Sequence, residues 1–308
     1  MKLRLGTRSS ALARWQAQWV TDRLLEVADV EVELVPISTR GDRDQTSQIG
    51  AVGAIGVFTK ELQRALLDDR VDLVVHSLKD LPTVPVEGVS IAAVPPRETV
   101  ADALVSREGR RLRELPVGAK VGTGSQRRRA LLLSARSDLD VQPIRGNVDT
   151  RLAKLAAGEY DAIVLAEAGL KRLGLEDRAT EVLAPPLLLP AVGQGALGIE
   201  ARSDDRAIRE LLARLDDPAA HAAVTAERAM LARLCAGCLA PVGGWARCEA
   251  AGQLTLSAVV LSADGATRLD TEACGDVSES EALGLRVAED LLERGAGALI
   301  EAAHDSAS

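Results

Sequence analysis

Leu5-Gly6-Thr7-Arg8-Ser9, near the amino terminus, returns 116 residues later as Val121-Gly122-Thr123-Gly124-Ser125. In each place a short apolar strand leads into the turn and a helical pattern follows it. On the first occasion the strand is Lys2–Gly6. Ser9 or Ser10 then stands where a helix through Ala11-Leu12, Trp15, Trp19 and Leu24-Leu25 needs its cap. A second correspondence appears at an offset of 89: Ala65-Leu66, Val71-Asp72-Leu73-Val74-Val75 and Leu81 match Lys154-Leu155, Tyr160-Asp161-Ala162-Ile163-Val164 and Leu170. Unequal offsets are what loops of unequal length between equivalent elements produce. Between these anchors lie a strand at Val32–Ile37, a Gly-rich stretch from Gly41 to Gly56, a helix at Phe58–Leu67, and strands at Val71–His76 and Ser90–Val94. This alternation of helical and strand periods predicts an α/β protein with two similar α/β domains, roughly 1–97 and 101–188. Chance likeness between βα units is the competing reading of so short a repeat.

The rest of the chain differs in kind. The apolar, Pro- and Gly-rich stretch Leu187–Gly198 is expected to cross between domains. Helices are expected at Ala207–Leu215 and Ala219–Leu234. Alternating segments at Gly244–Arg247, Gln253–Leu261 and Thr267–Ala273 read as strands, and a final helix runs from about Ser280 to Glu301. That order describes a small C-terminal α+β domain.

Length and composition agree: 308 residues suit two or three domains, and 47% apolar residues suit buried cores. No apolar h-region follows Met1-Lys2-Leu3-Arg4, which argues against a secretory signal. No run of about 18 apolar residues reads as a membrane span. Cys235, Cys238, Cys248 and Cys274 are too few for a disulfide scaffold, so the expectation is a cytoplasmic protein with reduced thiols and no membrane partner. The formal charge is −8 with 2% aromatics, which argues against nucleic-acid binding. The charge is unevenly distributed, however. Residues 200–308 hold 10 basic and 19 acidic side chains, whereas 120–151 hold 7 basic and 3 acidic.

That basic stretch coincides with chemistry. Turns between a strand and a helix start, such as Thr7-Arg8-Ser9-Ser10 and Thr123-Gly124-Ser125, expose N–H groups and hydroxyls to anions. Arg127-Arg128-Arg129 opens the helix after the second turn, where cations oppose the macrodipole. Arg145, Arg151 and Arg172 recur at further strand ends and helix starts. A solvated basic face is the plain alternative in a chain with 31 Arg and 6 Lys. Arginines repeated over paired domains otherwise suggest a cleft for a carboxylate-rich ligand. His76-Ser77-Leu78-Lys79-Asp80-Leu81-Pro82 ends a buried strand with a polar set, the place where α/β folds meet ligands. His76 reads more readily as a core histidine. Asp80, on a turn pinned by Pro82, reads as functional. Cys235-Ala236-Gly237-Cys238 admits a zinc site, a redox pair, or an accessible nucleophilic or modified thiol at Cys238. With His scarce and the other cysteines irregularly spaced, the last fits better and no metal is expected.

Taken together these segments resemble the porphobilinogen deaminase (hydroxymethylbilane synthase) family. The resemblance is carried by Gly6-Thr7-Arg8-Ser9-Ser10 with Leu12-Ala13 and Gln16, Phe58-Thr59-Lys60-Glu61-Leu62, the His76–Pro82 run, and Gly122-Thr123-Gly124-Ser125 with Arg127-Arg128. It continues through Arg145-Gly146-Asn147 with Thr150-Arg151-Leu152, Ala168–Leu173, Pro190–Gly195, and Gly237-Cys238 with Pro241-Val242-Gly243. These occur in the family's order over nearly the whole chain, more weakly after about residue 250. The resemblance implies two domains like those of periplasmic binding proteins (1–97 with about 196–214, and 101–190) and a third, 218–308, carrying the cofactor cysteine. It implies a dipyrromethane cofactor held by a thioether to Cys238, with four porphobilinogen units added head to tail, ammonia lost at each step, and hydroxymethylbilane released by hydrolysis. It gives Asp80 the catalytic role. It assigns cofactor and substrate carboxylates to Arg8, Ser10, Ser77, Lys79, Thr123, Ser125, Arg127, Arg128, Arg145, Arg151 and Arg172. It also implies a monomer. Ala51 and Ile55 stand where many members have lysines, and Gly124 where serine is frequent. The Gly content of 41–57 suggests a lid. The alternative from another class is a non-catalytic two-lobed polycarboxylate-binding protein, which has no need of Cys238.

Overall fold

The computed structural model describes residues 1–39, 59–236, 240–249 and 252–307. The Gly-rich stretch 41–57 with its expected lid, Phe58, and Cys238 lie outside the described residues.

The two related turns open two sheets of the same design. In lobe 1 the strands are β1 (Lys2–Thr7), β2 (Glu31–Pro36), β3 (Leu73–Ser77) and β4 (Val89–Ala93), joined by β10 (Leu197–Arg202) in the order β2-β1-β3-β10-β4. In lobe 2, β5 (Asp102–Ser106), β6 (Lys120–Gly122), β7 (Asp140–Gln142), β8 (Ala162–Ala166) and β9 (Glu181–Leu183) take the order β7-β6-β8-β5-β9. In each sheet the first three strands are parallel, and one antiparallel strand, β10 or β5, lies beside the central β3 or β8. The registers repeat as well: Leu5 and Gly6 pair with Leu73 and Val74, and Val121 and Gly122 pair with Ala162 and Ile163. These are the positions that the two sequence offsets superimpose, so the repeat is structural and not a chance likeness.

The helices follow from local chemistry. Helix α1 (Ala11–Val27) is capped by the Ser10 hydroxyl, which accepts from the Ala13 N–H at 3.3 Å. It buries Ala13, Ala17, Val20 and Leu24 at three- and four-residue spacing against β1 and β3. Its counterpart after β6, α3 (Gln126–Ala135), is capped in the same way by Ser125. Between them in the chain is α2 (Lys60–Leu67). Helices α4 (Val148–Ala156) and α5 (Glu167–Arg172) complete lobe 2, and α6 (Arg206–Leu212) packs on lobe 1 beside β10.

The remaining residues form an antiparallel sheet, β11 (Val242–Cys248), β12 (Gln253–Leu261) and β13 (Arg268–Asp276), with helices α7 (Pro218–Arg233), α8 (Ser280–Glu293) and α9 (Ala296–Ala307). The single closing helix expected at 280–301 is thus two helices. Gly295 takes a φ of +94° between them, a left-handed conformation that ends a helix and that glycine adopts without steric cost. This unit touches both lobes. Val259 and Leu261 of β12 join the lobe 2 core. Ala220 and Val224 of α7 pack with Leu78, Leu81, Val94 and Ala196, beneath the turn that follows β3. Among the described residues no helix is long and apolar enough to cross a membrane.

Candidate active site

Strand β3 ends at Ser77, and one 3-10 turn, Leu78–Asp80, follows before Pro82. Leu78 faces inward at 1% exposure, which turns the Asp80 side chain out to solvent at the carboxyl end of the sheet. Gln16 of α1 donates to the Ser77 hydroxyl at 2.7 Å and ties the start of this turn to the first helix. His76 points the other way, as the core reading expects. It is buried, with Nε2 2.9 Å from Glu200 Oε2 in ion-pair range but off the hydrogen-bond line, and Gln63 donates to the same carboxylate.

Across from this turn lies the basic end of lobe 2. Arg127 and Arg128 occupy the first turn of α3, where the macrodipole disfavours them, and Asp102 offsets it. Its fully buried carboxylate takes Arg127 Nη2 at 2.8 Å, and Arg128 Nε and Nη2 at 3.0 and 2.7 Å. Carbonyls of Leu189 and Val164 take a further donor from each arginine. Burial alone would raise the Asp102 pKa, but the two guanidiniums outweigh it and hold the carboxyl well below the usual range. One acid thus faces two arginines. Lys79 adds a further cation from lobe 1, its Nζ 3.4 Å from the Gln194 side-chain oxygen. Gln194 itself donates to Asp102 at 2.8 Å and to the carbonyl of Val100. A single buried glutamine on the crossover between the lobes therefore bridges Lys79 to the Asp102 cluster.

The cluster carries more positive charge than its own acid can balance. Burial first, then Arg128 and Arg127, push the Lys79 ammonium down to about 8, with Asp80 and Asp102 acting in the opposite sense. Burial and then Arg128 push Arg151 down to about 10; Asp80 again opposes, which places the lobe 1 carboxylate within electrostatic reach of a lobe 2 guanidinium. Burial brings Arg172 down to about 10. Among the described residues the Arg151 side chain hydrogen-bonds only the Gly146 carbonyl, through Nε at 2.8 Å. Arg172 donates to the Gly195 carbonyl at 2.7 Å and stacks on Trp15 of lobe 1, 5.8 Å from the ring centroid. Arg127 Nε is buried without a hydrogen-bond partner among the described residues. Cations with depressed pKa values and idle donors are what a polycarboxylate would relieve.

The residues singled out from sequence divide into groups. Asp80, Lys79, Arg128 and Arg151 come together across the lobes. Arg8 and Arg145, both half-buried, stand at the turns after β1 and β7. Ser10 and Ser125 cap helices, and Thr123 Oγ1 accepts from the Ser125 N–H at 3.2 Å, so these hydroxyls shape the anion turns from within. Arg127 is the deepest of the arginines at 3% exposure, held chiefly by Asp102. Asp102 and Gln194 escaped the sequence reading. An aspartate within Ala101-Asp102-Ala103-Leu104-Val105 was the signal, since aspartate is almost never fully buried unless paired. Cys235 is exposed, with φ +50° just past α7. Among the described residues no group of three or more His, Cys, Asp or Glu converges as a metal site.

Two lobes of one topology, with a cationic cleft at the carboxyl ends of their strands and one outward carboxylate beside it, define a two-lobed α/β protein for a polyanionic small molecule. Solved two-lobed binding proteins show a loose likeness, for instance a putative methionine-binding lipoprotein of Bacillus subtilis subsp. subtilis str. 168. It has a TM-score of 0.42 and 13% identity over 70% of this chain and 89% of that one. Sequence comparison is sharper. The family description "Porphobilinogen deaminase, dipyromethane cofactor binding domain" matches residues 3–210, and "Porphobilinogen deaminase, C-terminal domain" matches residues 221–293. The porphobilinogen deaminase of Thermus thermophilus is 49% identical over 94% of this chain and 95% of its own length. That of Syntrophotalea carbinolica is 46% identical over 97% and 95%. The chain belongs to the porphobilinogen deaminase family.

Proposed function

We infer that this chain is a hydroxymethylbilane synthase, a transferase that joins four porphobilinogen molecules head to tail on a bound dipyrromethane, loses ammonia at each step and releases hydroxymethylbilane by hydrolysis. The observation that carries this reading is the cleft in which Asp80 and Lys79 of lobe 1 face Arg128 and Arg151 of lobe 2. Each pyrrole unit bears an acetate and a propionate, and this donor set suits them. Guanidiniums bind carboxylates in bidentate fashion, and the pKa depressions of Lys79 and Arg151 mark cations that lack enough anionic partners. When bound, dipyrromethane would supply the free pyrrole carbon to which the first unit is joined.

The chain's own residues have three tasks in this reading. Arg8, Lys79, Arg128, Arg145, Arg151 and Arg172 hold carboxylates, with Ser10, Ser77, Thr123 and Ser125 shaping the turns and Arg127 backing Arg128 through Asp102. Asp80 stands at the substrate's pyrrole N–H. As the amino group departs from the aminomethyl carbon as ammonia, the methylene stays on the ring and positive charge spreads from it onto the ring nitrogen; a carboxylate there stabilises that charge where it develops and can hold the N–H proton. Cys238 anchors the cofactor through a thioether, a bond that a reducing cytoplasm does not break. The protein works as a cytoplasmic monomer.

Intact-protein mass spectrometry with turnover assays tests this. The mass of two linked pyrroles beyond the chain is expected in the wild type and in Cys235→Ser, and is absent from Cys238→Ser. Asp80→Asn keeps that mass while turnover falls by about 10²–10⁴-fold. An active protein of unmodified mass would overturn the cofactor reading, and near-normal turnover in Asp80→Asn would remove the carboxylate from the chemistry.

A further inference from the structure

Helix α7 of the third domain presents Ala220, Val224 and Arg228 at four-residue spacing, one above another on one face. Ala220 and Val224 pack against Leu78 and Leu81, the apolar residues of the turn that carries Asp80. Arg228 completes the stripe with its guanidinium fork. Nη1 donates to the Leu81 carbonyl at 2.9 Å, and Nη2 donates to the Pro82 carbonyl at 2.7 Å. Two successive carbonyls taken by one rigid, planar group fix the orientation of the Leu81–Pro82 and Pro82–Thr83 peptide units, one and two residues beyond Asp80. A lysine, with a point charge on a flexible stem, cannot do this. Within lobe 1 the turn is held by Leu78 N–H to the Ala196 carbonyl at 3.0 Å and Leu81 N–H to the Leu78 carbonyl at 3.1 Å, and its proline donates nothing. The donors on the Leu81 and Pro82 carbonyls therefore come from the third domain and not from lobe 1.

We propose that Arg228 is a positioning residue for the reaction: from the third domain it clamps the turn behind Asp80 and holds that carboxylate at the substrate. The proposal rests on the catalytic reading of Asp80. Among the described residues the Arg228 guanidinium hydrogen-bonds the Leu81 and Pro82 carbonyls, so its effect passes through the turn. Misplacing a reacting group by about 1 Å costs on the order of 10²-fold in rate, so the loss falls on kcat and spares KM.

Four variants test the proposal in the full-length protein: Arg228→Leu, Arg228→Lys, Asp80→Asn and the double variant Asp80→Asn/Arg228→Leu. Intact mass and kcat and KM for porphobilinogen are read for each. Arg228→Leu is expected to keep the wild-type mass and a KM within about twofold, while kcat falls by about 10–10²-fold. Arg228→Lys, which restores one donor, recovers part of that loss. In the Asp80→Asn background Arg228→Leu changes kcat by less than about twofold, because the group it positions is already gone. A kcat within twofold of wild type for Arg228→Leu would overturn the proposal, as would an equal loss in both backgrounds. If Arg228→Leu does not fold, Arg228→Lys and the double variant Asp80→Asn/Arg228→Lys decide: unchanged kcat in Arg228→Lys overturns the proposal, as does an equal loss in both backgrounds, and a kcat loss seen with Asp80 present but not in the Asp80→Asn background supports it. Near-normal turnover in Asp80→Asn sinks the catalytic reading of Asp80 itself, whatever Arg228 does.

Discussion

Lys79 shows how far a single side chain can be read from its surroundings. With its pKa near 8 it is charged at neutral pH and loses its proton in the mildly alkaline range. For the protein without ligand, the folded value lies below the unfolded 10.5. The charged amine therefore costs stability below about pH 8, and that cost fades as pH rises toward 10.5. Ligand binding runs the other way, because a carboxylate partner favours the ammonium. KM for porphobilinogen is thus expected to rise above pH 8 while folding stability does not fall through this group. In Lys79→Arg the alkaline rise moves beyond pH 10, since a guanidinium stays protonated there. KM measured from pH 7 to 10 for both proteins checks this, and superimposable profiles would exclude Lys79 from binding. The residue that organises this environment, Asp102, was less legible. Its neighbours in the chain are those of an ordinary buried strand, and the arginines it neutralises are 25 and 26 positions away.

At the scale of elements, sequence pattern located strands and helices because the central strands, such as β3 and β8, are near-continuous apolar runs buried along nearly their whole length, while helices such as α1 keep one apolar stripe. It failed at 280–301, where the apolar stripe continues across Gly295 and only the backbone reversal divides it. The crossing of α7 and α8 lies equally beyond such patterns. A Cβ placed at Gly284 would stand 2.2 Å from the Ala226 carbonyl oxygen and 2.9 Å from the Ala229 Cβ. Helix propensity alone would favour Gly284→Ala by about 1 kcal/mol. Overpacking against a backbone atom costs about 1–3 kcal/mol or more and acts on the helix that carries both Glu227 and Arg228. The expected outcome is a net loss of stability in thermal unfolding, with a fall in kcat as α7 shifts.

For the whole molecule, net charge proved a poor guide. The net negative charge resides in residues 200–308, with 10 basic against 19 acidic side chains, whereas the cleft gathers Arg127, Arg128 and Arg151 of lobe 2 with Lys79 of lobe 1. The lobes are joined where two crossovers pass each other. Gly195, at φ +86°, lies so close to the other crossover that a Cβ would stand 2.4 Å from the Glu98 carbonyl oxygen and 2.6 Å from that of Thr99. Beside it Glu227 of α7 is buried and takes Arg97 through both oxygens, together with the Gly193 and Ala246 N–H groups. Gly195→Ala should cost about 2–5 kcal/mol from left-handed backbone and overpacking together. It should also raise KM, because Gln194 and the carbonyl that holds Arg172 move with it. Calorimetry and steady-state kinetics on the one variant check both, and an unchanged melting temperature would show that the crossovers have room to spare.

One strand also sets an order of events during synthesis. β10 lies between β3 and β4, with Gly198 opposite His76 and Ile199 opposite Ala93, so the chain makes all of lobe 2 before it returns to fill that gap. As the polypeptide leaves the ribosome, at about 5–20 residues per second, the lobe that begins first is the one completed last. β4 has no neighbour in its sheet until Arg202 has emerged, whereas every strand of lobe 2 is in place by Leu183. The nascent first lobe must wait for several seconds with an open sheet edge, and its partner can close ahead of it.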